Sequence, residues 1–220
     1  MNLYKKYKNW RKKYKKEKRV KLLKKYGKEA LYIIKEELDL LKISYWLEAG
    51  TLLGAVREKN FISGDDDIDI SVNIEDYSQR IRENLKKRGV YLIKEYLIDN
   101  GLTGREETYE YKGIHIDIFY NTIDLLKQKT VYHAFVQDKK IEKDESYVYE
   151  YTFPFEGIIK IPFLGKDFKI PKNYHEYLKA LYGEEYMIPI KNWEMNNDKN
   201  YVILENKLAK IIRYKQKSIF

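Results

Sequence analysis

Between Asp67 and Val72 every second residue is Ile or Val, and the residues between them are Asp, Asp and Ser. No other feature constrains the chain so tightly. A helix would spread these isoleucines over several faces, whereas a β-strand sends them all to one side. Ile68, Ile70 and Val72 then enter a core, and Asp67 and Asp69 project together from the other face, their backbones about 6.6 to 7 Å apart. Asp65 shares their parity and joins them if the strand begins that early. The pattern returns in Ile114-His115-Ile116-Asp117-Ile118-Phe119, with His115 and Asp117 on the polar side. If the two strands pair, a third carboxylate arrives at the same place. Three like charges repel without a cation, and an oxygen cluster of this kind suits Mg²⁺ or Mn²⁺, singly or as a pair about 3.5 to 4 Å apart.

The flanking residues extend this unit. Residues 28–41 carry Leu31, Ile34, Leu38 and Leu41 at helical spacing, and residues 43–47 read as a short strand. Gly50 supplies a turn, and Thr51 is placed to cap a short helix running through Arg57. The free N–H groups at the start of that helix can receive phosphate, so a phosphate site and a metal site fall on successive elements. Further on, residues 75–88 read as a charged helix ending near Gly89, 90–97 as a strand, 99–104 as a turn and 107–112 as a hairpin arm. Residues 131–136, 147–153 and 158–163 are short strands. A helix follows that Pro171 can open and Gly183 can close, and residues 201–214 read as a basic helical tail. The expected class is α/β (α+β), a mixed sheet flanked by helices.

Charge divides the chain in two. Residues 1–27 hold 13 Lys or Arg against a single acid, Glu17, whereas the remainder is nearly balanced, so the overall net charge of +9 belongs to the N-terminal segment. Leu3, Tyr7, Trp10 and Tyr14 recur there at spacings of four, three and four, which aligns them on one face of a basic amphipathic helix. The expected organisation is therefore a basic arm over residues 1–27 and a domain over 28–220. The arm reads either as attracted to a polyanionic acceptor, nucleic acid or an anionic membrane, or as a solvated helix packing its aromatic stripe on the domain. No run of 18 apolar residues and no apolar segment after the basic start is present, so the expected location is cytoplasmic, peripheral at the inner membrane face. Cys is absent and His115, His133 and His175 are scattered, which leaves oxygen as the expected metal ligand.

Rival readings of the acids fit less well. An EF-hand loop starting at Asp65 would place Ile70 where Gly is required and Asp76 where Glu is required. A solvated acidic turn would not alternate Asp with Ile. Neither a P-loop nor a G-x-G-x-x-G run is present.

The run YWLEAGTLLGAVREKNFISGDDDIDISV resembles the LicD/fukutin family, and EDYSQRI, HIDIFY and PKNYHEYLKALYGEEYMIP extend the likeness over residues 45–189. One departure is Ser63-Gly64, where Pro-Trp commonly precedes the acids; it bears on contact with a donor and leaves the acids in place. The resemblance implies a nucleotidyltransferase-type fold. It also implies transfer of a phospho-alcohol, such as phosphocholine or ribitol phosphate, from a CDP-linked donor to a glycan or lipid-linked glycan. Carried over residue by residue, Asp67 and Asp69 become the metal pair, and Asp117 the third carboxylate, either ligand or base. Gly50 and Thr51 hold donor phosphate, and Arg57 pairs with phosphate or with the acidic strand unless it serves a structural salt bridge. Asp65 and Asp66 orient the ligands or remain surface charge. His115 tunes Asp117 or is structural, and Tyr182-Gly183 ends a helix. Two competing functions are nucleotide transfer from an NTP to RNA, which releases pyrophosphate instead of CMP, and a polyanion-binding module without catalysis; nucleic acid is the less expected partner.

Overall fold

The computed structural model describes residues 3–189 and 201–215. The chain forms α1 (Leu3–Leu40), β1 (Tyr45–Leu47), α2 (Ala49–Arg57), β2 (Asp67–Asn73), α3 (Gln79–Lys87), β3 (Tyr91–Ile98), β4 (Gly104–Tyr111) and β5 (Ile114–Asp124). It continues with β6 (Lys129–Val136), β7 (Glu145–Pro154), β8 (Ile158–Phe163), β9 (Lys166–Pro171), α4 (Tyr174–Tyr182) and β10 (Tyr201–Arg213). Eight strands make one mixed sheet in the order β1-β2-β5-β4-β3-β10-β7-β6, and β8 pairs with β9 in a separate hairpin.

The alternation read from the sequence sets this sheet. Ile68, Ile70, Val72, Ile114, Ile116 and Ile118 are all fully buried. β2 and β5 lie side by side and parallel, so their isoleucines meet one layer of helices: α1, through Ala30, Leu31, Ile34 and Leu38, and α3, through Ile81 and Leu85. The other face carries the acids and receives α2 and α4. The far end of the sheet curls over this second face, because β6 pairs with both β7 and β5. Inside the curl Phe119 of β5 packs on Tyr132 of β6, and Tyr96 of β3 stacks on Phe135 with ring centroids 4.6 Å apart.

Several elements differ locally from the pattern read in the sequence. The tail is the strand β10, pairing antiparallel with β3 on one side and β7 on the other. Its leucines and isoleucines mimic helical spacing, but Ala209 and Ile211 are the buried pair, two residues apart, and open ladders on both sides supply backbone partners that an isolated helix would not need. Thr51 is not a cap, since α2 begins two residues earlier at Ala49 and Glu48 caps it, its side chain accepting from Ala49 N. The helix expected over 75–88 contracts to α3, capped by Ser78, after a single 3-10 turn. β9 was not foreseen; Leu164 and Gly165 turn the chain with φ of 50° and 90°, a hairpin written without the usual Asn-Gly signal. Finally, α1 passes through Gly27 without a break and joins the basic segment to the helix behind it.

Candidate active site

β2 and β5 pair in parallel with Asp67 opposite His115 and Asp69 directly opposite Asp117. Asp67, Asp69 and Asp117 each turn a carboxylate oxygen to one point, and the three oxygens lie within 4.8 Å of one another. The convergence follows from register, because parallel strands about 4.8 Å apart put equivalent side chains next to each other. Asp69 is 7% exposed; Asp67 and Asp117 are half-buried.

Two elements fix Asp69. Thr51 is fully buried, and its hydroxyl oxygen accepts from Asp69 N at 2.9 Å. Gly50 N donates to Asp69 Oδ2 at 3.2 Å. A side chain at Gly50 would strike Asp65, since a Cβ built there lies 2.6 Å from Asp65 Oδ2; only glycine lets α2 approach the acids this closely. Behind them sits Glu48, 1% exposed, whose carboxylate accepts from the Trp46 indole, the Ser71 hydroxyl, the Tyr177 hydroxyl and Ala49 N. This one buried acid ties β1, β2, α2 and α4 together at the edge of the cluster.

In front of the acids opens a cleft of about 580 Å³ whose walls include Gly50, Arg57, Ser63, Asp65, Asp69 and Tyr182. Arg57 faces it while donating to the carbonyl of Tyr186 at 3.1 Å and to Glu58 at 2.9 Å; its buried Nε has no partner. Asp65 lies just before the strand, half-buried, with Oδ2 buried and unpartnered. Asp66 points the other way and binds Arg19 of α1, whose Nε donates at 2.7 Å, with Lys16 3.7 Å away. Thus Gly50, Arg57, Asp65 and, of the triad, Asp69 line one mouth, whereas Thr51 works behind Asp69 and Asp66 anchors α1.

Electrostatics set this cluster apart. Burial, reinforced by the neighbouring acids, raises Asp67 and Asp69 above the ordinary carboxylate range; it pushes Asp65 up to about 8 and Asp117 up to about 6. His115 moves the other way, to about 4, through burial and the nearby Arg19 and Lys94, so it faces the acids as a neutral imidazole. Oδ1 of Asp117 is buried with no partner. Converging carboxylates, each raised by the others, with an orphaned buried oxygen among them, fit an oxygen-preferring divalent cation.

Further residues of this face were not read from the sequence. Thr108 of β4 stands opposite Asp117, and Lys94 of β3 opposite Thr108, so Asp69, Asp117, Thr108 and Lys94 form one row across four strands. Glu106 belongs to the same face and is buried; burial and the Asp117 charge push it up to about 8, against the pull of Lys94. In Gly-Arg-Glu-Glu-Thr-Tyr-Glu-Tyr both strand faces are polar, so alternation gave no sign of which acids turn toward the site. Glu48 left a fainter signal, an acid inside the otherwise apolar Tyr45-Trp46-Leu47 approach to Gly50.

A family model described as LicD/FKTN/FKRP, nucleotidyltransferase domain, matches residues 42–173, from the end of α1 to the start of α4. The chain belongs to the LicD/FKTN/FKRP family. Among curated relatives, the ribitol-5-phosphate transferase FKTN of Homo sapiens is 26% identical over 171 residues, 77% of this chain and 35% of the relative. The ribitol 5-phosphate transferase FKRP of Homo sapiens is 26% identical over 154 residues, 66% of this chain and 29% of the relative. The lipopolysaccharide cholinephosphotransferase LicD of Haemophilus influenzae is 53% identical over 38 residues, 17% of this chain and 14% of the relative. The chain therefore spans about a third of the length of the FKTN relatives it matches. The stretch matched to the LicD/FKTN/FKRP family contains the triad, Gly50, Thr51, Arg57 and Glu48.

Proposed function

We propose that this chain transfers a phospho-alcohol, such as phosphocholine or ribitol phosphate, from a CDP-linked donor to a hydroxyl of a glycan. The observation that carries the reading is the register of β2 against β5, which gathers Asp67, Asp69 and Asp117 beside a cleft holding Gly50 and Arg57. Family relatives named for ribitol phosphate and choline phosphate transfer support the substrate class.

In this reading Asp67, Asp69 and Asp117 hold Mg²⁺ or Mn²⁺, which when bound neutralises the donor diphosphate and the departing CMP. Arg57, braced by Tyr186 and Glu58 at the cleft wall, supplies positive charge to donor phosphate. Thr51 holds the backbone of Asp69 and Gly50 N holds its carboxylate, so alignment is built in before the donor arrives. The acceptor oxygen bonds to the phosphorus bearing the alcohol, the bond to CMP breaks, and the acceptor's proton passes to a carboxylate of the cluster. The basic N-terminal segment draws the chain to the anionic surroundings of its acceptor.

The test is incubation with CDP-choline, CDP-ribitol and CDP-glycerol, each with Mg²⁺ and a glycan acceptor panel, scoring CMP. Metal-dependent CMP release is the expected result. Pyrophosphate release from an NTP with nucleotide incorporated into RNA would replace this reading with the tailing one.

A further inference from the structure

The first turns of α1 stand clear of the body. Every described side chain from Lys6 to Lys18 is exposed, whichever way it points, and burial sets in only from Arg19 onward. The aromatic stripe therefore does not pack on the domain. Tyr7, Trp10 and Tyr14 stay 54%, 60% and 57% exposed and stack on each other, with centroids 6.2 and 5.7 Å apart and ring planes 25° and 19° apart. The result is a continuous aromatic ladder facing water. Lys6, Arg11, Lys13 and Lys18 flank it, all exposed. Arg19 follows Trp10 by nine residues, about two and a half turns, so it leaves the helix on the opposite side, where it holds Asp66. One helix thus has a face tied through Asp66 to the start of β2 and another, aromatic and cationic, whose rings pack on no other element among the described residues.

We propose that this outer face seats α1 on an anionic lipid surface, with Tyr7, Trp10 and Tyr14 at headgroup depth and the flanking basic side chains against lipid phosphates. Charge selects the occupant first: 13 basic residues against one acid in the first 27 call for a polyanion. The rings then decide between polyanions. Trp and Tyr, apolar with one polar atom, are suited to the bilayer interface. A nucleic acid would need separate ring faces on which to stack bases, and here each ring is already in offset stacking with its neighbour. Seated this way, the helix keeps its Arg19 contact, so the cleft stays attached to the docked element at fixed distance. The inference rests on the proposed reading only in the anionic setting of the acceptor, and its test uses neither donor nor acceptor, so the two can fail separately.

The full chain is sedimented with vesicles of phosphatidylcholine, alone or mixed with phosphatidylglycerol, beside a variant carrying Tyr7→Ser, Trp10→Ser and Tyr14→Ser. The expected result is binding to the anionic vesicles only, weakened at least about tenfold in the variant, with an unchanged melting temperature showing that the domain is intact. Equal binding to neutral and anionic vesicles, or undiminished binding by the variant, overturns the proposal. So does tighter binding to a single-stranded RNA oligonucleotide than to the anionic vesicles at the same salt.

Discussion

Two sets of buried carboxylates sit on opposite faces of the same strands and are partnered in opposite ways. On the face covered by α3, Glu107 is 1% exposed and receives Tyr109 and Tyr120 hydroxyls at 2.7 and 2.8 Å together with Arg82 at 3.2 Å. Glu95 beside it takes Arg105 at 2.7 Å and Arg82 at 3.1 Å. On the other face Asp67, Asp69, Asp117 and Glu106 raise one another, and Lys94, the cation in their row, makes no ion pair among the described residues. Burial alone therefore does not mark a functional acid. Glu107 has partners for its charge within the fold, whereas the triad has been given other acids, and an arrangement so unfavourable by itself points to a positive ligand.

The largest effect that could break the comparison lies in turnover. Asp67→Asn or Asp69→Asn should keep the fold and lower CMP release on the order of 10³-fold, about 4 kcal/mol of barrier; near-normal turnover in either folded variant removes the functional half of the contrast. Next comes stability on the opposite face. Glu107→Gln leaves Arg82 and Arg105 with Glu95 as their one carboxylate partner and should cost about 2 kcal/mol in urea unfolding, while the folded fraction keeps its turnover.

The third prediction uses pH. In the metal-free chain the site acids hold protons in the fold that the unfolded chain releases near pH 4, so their contribution to stability is fully present below that pH. It is lost as pH rises toward the folded values of about 6 for Asp117 and about 8 for Asp65. The depressed His115 and His133 act with the opposite sign below about pH 6.5, so the informative quantity is a difference between variants. Asp69→Asn should melt above wild type near pH 8, with the gap closing toward pH 5; added Mg²⁺ should raise the melting temperature of wild type and not that of the variant. A gap that widens toward acid would show the site face to be as well satisfied as the other. The smallest effect tests the brace: Thr51→Val removes the acceptor of Asp69 N and should cost about 1 kcal/mol, with a loss of turnover smaller than that of Asp69→Asn.

Much of the site was legible because alternation is unambiguous where one face is purely apolar. Asp69 and Asp117 each stand between isoleucines that must go inward, and Asp67 precedes one, so their direction followed without a fold. Arg105 to Tyr111 lacks such a face, and Glu106 and Glu107, neighbours in the chain with opposite fates, could not be told apart. Thr51 was placed at the right helix and given the wrong task, since which residue caps α2 depends on Glu48 being held by Trp46, Ser71 and Tyr177 from three other elements.

By itself the sequence determined that two strands would each carry acids on one side and isoleucines on the other, that a glycine turn would precede them, and that positive charge would gather at the N-terminus. These are properties of residue type and spacing, carried along a single segment. Only the tertiary structure decided that β2 and β5 lie parallel and in register, that residues 201–213 become a strand between β3 and β7, and that the aromatic ladder of α1 remains outside. Each of those depends on which surfaces meet, and backbone partners or buried area offered by a distant segment outweigh the local preference of a short stretch.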